Sequence, residues 1–218
     1  MKNKFQKRSI QLMISISFTV VAIIAISFMG IILYAQFARN TKNTAIESNK
    51  QLLDQASWNL NTYIRSMMSV SDTMYYSVIK NRDLAYEPMN REMELLYEAN
   101  KDNLVSIVCV SEEGTVLTAS PVANKKIGND IKEQDWFRQA NEKIENVHFS
   151  TPHIQNLFDN SNYRYYWVVS LSRSVELTNR GHIRRGVLLV DMNFSGIEQL
   201  LSKANEKGNG YIYLMNRN

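Results

Sequence analysis

The chain is poor in the groups that most often carry chemistry. It has one cysteine, Cys109, so no intramolecular disulfide framework can form. That cysteine lies in the apolar run Leu104–Val110 and reads as a small buried hydrophobe. The three histidines, His148, His153 and His182, give no metal-ligand spacing, and His148 and His153 flank Pro152 rather than sharing one helical face. No phosphate-binding glycine loop, dinucleotide fingerprint or nucleophile elbow is present. Nothing points to covalent catalysis or paired-carboxylate hydrolysis, so neither a catalytic residue nor a cofactor is expected.

Charge is missing from one long stretch. The thirty residues Ser9 to Ala38 carry none, and Ile10–Tyr34 within them is almost wholly apolar. About 20 apolar residues cross a bilayer core as a helix, so this run spans with some tilt. It exceeds the apolar core of a cleaved signal peptide, and Gln36-Phe37-Ala38 is a poor cleavage site, which favours an uncleaved anchor. Lys2, Lys4, Lys7 and Arg8 crowd the short N-terminal side, so residues 1–9 are expected in the cytoplasm and the bulk outside, in the plasma membrane of a cell. The net charge of +4 is this tail. Beyond residue 38 the chain holds 21 basic and 21 acidic side chains, which argues against a nucleic-acid-binding face.

Proline and glycine are absent from residues 41 to 80, which read as one long helix. Ile46, Leu53, Leu60, Met67 and Met74 recur every seventh residue, with Ala56, Tyr63 and Val70 as a second row. Forty helical residues reach about 60 Å. The stripe packs on the following domain, or forms a homodimer seam, or does each on a different stretch. After Pro88 a short helix spans Arg91–Asn100. Leu104–Val110 and Thr115–Ala119 form a β-hairpin with Gly114 placed for a positive φ. A helix follows over Ile131–Ile144, then strands at Val147–Ser150, Tyr163–Arg173 and Ile183–Phe194. Ser195 to Glu198 is a capping box opening a helix to about Asn205. Consecutive hairpin-like links argue for an antiparallel sheet of α+β class. Tyr211–Met215 is an orphan strand, expected to open a further module over 208–218 whose remainder lies beyond Asn218.

Two features point to a binding site. Alternation puts Arg164, Tyr166, Val168, Ser170 and Ser172 on one face of their strand and Tyr165, Trp167, Val169, Leu171 and Arg173 on the other. The serine face either lines a pocket for a small polar ligand or faces solvent. Asp191 sits within Gly-Val-Leu-Leu-Val-Asp-Met, an apolar central strand. A buried carboxylate needs a partner, either an internal Arg or Lys or a cationic ligand group.

The ordered set of anchor, long helix, hairpin, Asp135-Trp-Phe-Arg-Gln-Ala140, Ser150-Thr-Pro-His153, Trp167-Val-Val-Ser-Leu-Ser-Arg173 and Gly186-Val-Leu-Leu-Val-Asp191 resembles the double-Cache ectodomain of bacterial transmembrane receptors. The Pro-His-x-Gln-Asn and Val-Ser-Leu-Ser-Arg wording is closest to sensor histidine kinases. The resemblance implies a five-stranded PAS-like sensor module, membrane-distal, over 35–207 with the long helix, and a truncated second module. It implies a ligand-sensing part of a two-component signal-transduction receptor whose kinase region lies elsewhere. The alternatives are the ectodomain of a methyl-accepting chemotaxis receptor and a membrane-anchored binding protein or enzyme without a signalling role. In amino-acid-binding relatives the residues matching Trp136 and Asp191 contact the ligand's carboxylate and ammonium ends. The family's Arg before the Trp is Gln134 here, its aromatic after the Trp is Phe137, and its Tyr and Asp after the short strand are His153 and Gln155. Without the Arg there is no bidentate carboxylate clamp. The resemblance thus implies a sugar or other neutral polar ligand held by Trp136, Gln134, Phe137, His153, Tyr166, Ser170 and Asp191.

Overall fold

The structure, a computed structural model, describes residues 2–122, 126, 130–143, 147–158 and 166–207. The chain divides into two compact units, Met1–Leu52 and Leu53–Asn218, and the boundary falls inside a helix, α1, that runs over Lys2–Asp72. In the first unit this helix exposes Ile14, Phe18, Ile23, Ile26 and Ile31 around its circumference. An 18-residue window of α1 has a mean hydropathy of 2.6 with none of it buried. A helix apolar on every side and uncovered by protein has the length and composition to cross a bilayer.

In the second unit α1 turns amphipathic and ends in a π-helical segment, Thr73–Ile79. The apolar stripe divides along its length. Tyr63, Met67, Val70, Met74 and Val78 are buried in the main core, with Leu60 packed beside them. Leu53 and Ile46 are exposed. Met67 and Met74 therefore pack on the chain's own domain and are closed to a second copy, while Leu53 is open.

Helix α2 spans Asn90–Asn100. The hairpin forms as expected, with β1 at Leu104–Ser111, β2 at Val116–Ser120 and Gly114 at φ 81°. A 3₁₀ turn over Ile131–Glu133 leads into α3, Asp135–Glu142, so the single expected helix is two pieces joined at Gln134. Strands β3 (His148–Phe149) and β4 (His153–Ile154) are only two residues each, and β4 is a strand that periodicity did not reveal. Strand β5 covers Trp167–Asn179 and β6 covers His182–Asn193; residues 161–165, including Tyr163 and Tyr165, lie outside the described residues. Arg180 and Gly181, both at positive φ, make the two-residue turn between them. The Asp83 carboxylate accepts from both of their backbone N–H groups, at 2.8 and 2.7 Å.

Helix α4, Phe194–Lys207, begins one residue before the expected capping box. Its cap is Asn193, whose Oδ1 accepts from the Ser195 N–H at 3.0 Å. Asn193 ends β6 and starts α4, so the amide that closes the strand also satisfies the helix. The orphan strand Tyr211–Met215 lies outside the described residues.

The sheet is antiparallel in the order β2-β1-β6-β5-β3, and β4 pairs with β5 beside β3, so the two share the edge position. Five positions are thus filled by six strands, because the edge is broken at Pro152. Alternation sends Ile107, Cys109, Leu171, Leu188, Val190 and Met192 to the core under α1 and α2. It sends Val108, Val110, Val187 and Leu189 to a second core with Ile131, Trp136, Phe137 and Ala140 of the α3 region. Gly186 is required where β6 passes between neighbours: a Cβ there would sit 2.4 Å from Leu177 Cδ1 and 2.6 Å from the Val110 carbonyl oxygen.

Candidate functional site

The second core is not apolar throughout. Ser106, Asp191 and Ser170 stand side by side on β1, β6 and β5, and all three are buried. Direct cross-strand partners project to the same face, which makes them one polar row. Ser106 Oγ donates to Asp191 Oδ2 at 2.8 Å, and Ser170 Oγ donates to Oδ1 at 2.5 Å. No Arg or Lys among the described residues pairs with this carboxylate, so the internal ion pair considered from the sequence is replaced by two hydroxyl donors. Burial pushes the Asp191 carboxyl above the usual range, and the hydrogen bonds from Ser170 and Ser106 and the nearby His153 pull against that shift.

His153 on β4 extends the row to the sheet edge. Its Nε2 lies 3.4 Å from Ser170 Oγ, and its Nδ1 lies 3.0 Å from the Thr151 carbonyl oxygen and 3.3 Å from Ser150 Oγ. A carbonyl only accepts, so Nδ1 carries the hydrogen toward Thr151, and this assigns the tautomer. Nε2 then faces Ser170, whose hydroxyl hydrogen is directed at Asp191. Asp191, Ser170 and His153 thus form a polar line from the sheet centre to its edge, hydrogen-bonded at Asp191–Ser170 and in contact at Ser170–His153.

The other expected site residues divide. Ser170 and Ser172, on the face that was left open between pocket and solvent, are each only 1% exposed, which rules out the solvent-facing alternative. Ser172 Oγ donates to the Trp136 carbonyl oxygen at 2.9 Å and fixes α3 on the sheet. Trp136 and Phe137 are buried against each other, ring centroids 5.7 Å apart at 85°. Gln134 Oε1 accepts from Asn156 Nδ2 at 3.1 Å. Tyr166 is 40% exposed at the head of β5. Ser106 and Ser150 are the site residues that sequence reasoning missed, and Gln155 was placed by the resemblance but not counted among the ligand-holding residues. Ser106 had a signal of the Asp191 kind, a lone polar group inside an apolar strand.

Gln155 follows β4, and its backbone N–H donates to the Tyr166 carbonyl oxygen at 2.9 Å. It is only 6% exposed, and neither its Nε2 nor its Oε1 has a hydrogen-bond partner among the described residues. Each unmet buried polar atom costs about 1–3 kcal/mol. A cleft of about 520 Å³ near the β5–β6 turn, lined by Leu84, Met89, Glu113 and Arg184, shares no residue with this row.

No family model and no curated relative matches the sequence. Solved structures do. The ligand-binding domain of the Pseudomonas aeruginosa PAO1 amino acid chemoreceptor PctC, in complex with GABA, matches with a TM-score of 0.57 at 18% identity, over 77% of this chain and 70% of that one. The corresponding domain of the Pseudomonas fluorescens chemoreceptor CtaA, in complex with L-serine, gives a TM-score of 0.51 at 16% identity, over 73% of this chain and 63% of that one. The sensory domain of the Campylobacter jejuni chemoreceptor Tlp3 gives 0.50 at 16%, over 74% and 65%. This chain spans about two thirds of the length of these domains. A long N-terminal helix followed by an antiparallel α+β module is the fold it has in common with bacterial chemoreceptor ligand-binding domains.

Proposed function

We propose that this chain is the extracytoplasmic, small-molecule-sensing part of a single-pass membrane receptor, with its basic tail in the cytoplasm. The observation that carries the reading is the buried row Ser106–Asp191–Ser170–His153. A carboxylate held among hydroxyls rather than salt-bridged costs stability, and a sheet face with that arrangement serves recognition better than packing. The fold shared with chemoreceptor ligand-binding domains supports it, and so does the charge asymmetry about Ile10–Tyr34.

The signal is read on the opposite sheet face. Two residues after Asp191 on the same strand, the Asn193 carbonyl accepts from the Tyr63 hydroxyl of α1. Three residues after Ser170, Arg173 reaches Asp72 at the end of α1. Ligand held by β5 and β6 thus biases the two latches that fix the long helix, which passes the change on along the chain. Leu53 offers the exposed part of the stripe to a homodimer mate.

The output domain is a histidine kinase or a chemotaxis signalling region. The likeness to chemoreceptor domains favours the second as much as the wording of the motifs favours the first. The ligand is a small polar molecule. An amino acid is supported by the complexes named for the neighbours, with Asp191 as the counterpart of the amine. A sugar or other neutral molecule is supported by Gln134 standing where an arginine clamp is needed. A thermal-shift screen on the full chain in detergent micelles, with amino acids and sugars, tests the sensor reading. A ligand that stabilises the chain, with the shift lost in Asp191→Ala, is expected. A shift equally large in Asp191→Ala would overturn the assignment of the site.

A further inference from the structure

The buried carboxamide of Gln155 holds nothing together among the described residues. It is 6% exposed, both of its polar atoms are unmet among the described residues, and its backbone is already paired to Tyr166. Two residues along an extended chain return to the same face, so Gln155 shares a side with His153, whose ring touches Ser170. By contrast the amides of Gln134 and Asn156 are joined to each other by a hydrogen bond. A native structure rarely leaves both ends of a buried amide unpaired without a reason.

We propose that Gln155 is the specificity-determining residue of the site and that it takes a ligand bearing a neutral carboxamide-type edge, an N–H beside a C=O. Such an edge meets both ends of the Gln155 amide at once, the donor to Oε1 and the acceptor to Nε2. A carboxylate ligand group meets only Nε2 and sets its charge against Oε1. An ammonium meets only Oε1. A hydroxyl satisfies one end well and leaves the other bare. Rejection of an analogue that leaves a buried polar group unpaired is the strongest discrimination a site can make. The proposal rests on the sensor reading and narrows its ligand to one chemical class.

The test uses the full chain in detergent micelles and matched pairs of probes: nicotinamide with nicotinate, and L-glutamine with L-glutamate. Titration calorimetry is expected to show at least one amide binding at least tenfold tighter than its acid. Gln155→Leu is expected to lose that binding while raising the melting temperature of the empty chain, because it removes an unpaired buried amide. Gln155→Glu should reduce the preference for the amide over the acid. The proposal falls if neither amide outbinds its acid, or if Gln155→Leu keeps the binding. It also falls if Gln155→Leu lowers the melting temperature, since the amide then has a structural partner. A sugar or amino acid that binds in an Asp191-dependent but Gln155-independent way would overturn this inference and leave the sensor reading standing.

Discussion

Arg173 on β5 donates through Nη1 to Asp72 Oδ1 at 2.5 Å, and its guanidinium carbon lies 4.8 Å from the centre of the Tyr75 ring. The contact joins the strand that carries Ser170 to the point where α1 changes from α- to π-helical winding. Its two halves differ in environment: the Arg173 side chain is 13% exposed and that of Asp72 is 50% exposed. Solvent screening keeps the charge pair modest, about 0.5–1 kcal/mol, whereas stacking and stem packing add about 1 kcal/mol more. We therefore expect Arg173→Ala to cost about 2 kcal/mol and Asp72→Asn less than 1 kcal/mol in urea denaturation. A double-mutant cycle should return a coupling of less than about 1 kcal/mol. If Asp72→Asn were as damaging as Arg173→Ala, the ion pair rather than the stacking would hold the junction.

Asp191 gives the chain a defined pH dependence. Its carboxyl titrates above the ordinary value near 3.8 because burial disfavours the charged form, against the opposing pull of Ser170, Ser106 and His153. A carboxyl with a raised folded-state pKa binds its proton more tightly in the native than in the unfolded chain. Its stabilising effect is complete below about pH 4 and is lost as pH rises through the folded-state value. Asp191→Asn cannot ionise. The difference in unfolding free energy between Asp191→Asn and the parent chain should therefore shift in favour of the variant as pH rises from 4, then level off. Equilibrium denaturation of both chains between pH 4 and 8 checks this. A difference that moves the other way would mean that the serine hydrogen bonds outweigh the burial.

The sheet was legible because its strands are long and rich in β-branched residues, and because Gly114 and Arg180-Gly181 mark the turns. The burial of Asp191 followed from the six apolar neighbours around it. What was not legible depends on contacts far apart in sequence. Two residues, His153 and Ile154, carry no periodicity, so β4 exists only because β5 offers it an edge. Ser195 and Glu198 have the spacing of a capping box, yet Asn193 takes the cap because it already ends β6. Gln155 was marked by the resemblance as standing in place of an Asp, but nothing in its sequence neighbourhood foretold that both ends of its amide would be buried and, among the described residues, unpaired. The heptad stripe was visible, but its division into a packed half and an exposed half depends on where the sheet begins to cover α1.

That division is itself testable. Met67 is fully buried in the core under α1. Truncating such a side chain removes its contacts and leaves a void, so Met67→Ala should cost about 2–5 kcal/mol in urea denaturation. Leu53 is 52% exposed, and Leu53→Ala should change monomer stability by less than about 0.5 kcal/mol. Cysteine placed at Leu53 is expected to cross-link between copies under mild oxidation, and cysteine at Met67 is not. Cross-linking at neither position, with both variants folded, would reject the seam along this stretch.

Gly186 supplies a last test, of the sheet rather than of the site. A methyl group at this position would press on Leu177 Cδ1 at 2.4 Å and on the Val110 carbonyl oxygen at 2.6 Å. Leu177 can turn away, but Val110 is held in the β1–β6 ladder, where it pairs with Val187. The strain must then pass into the register of β6, the strand that carries Asp191. Overpacking a well-filled core costs about 1–3 kcal/mol, and Gly186→Ala should reach that range in equilibrium unfolding. Leu177→Ala in the same background removes only the side-chain part of the clash, so it should restore less than half of the loss attributable to Gly186→Ala. Full restoration would show that the backbone contact is not the limiting one.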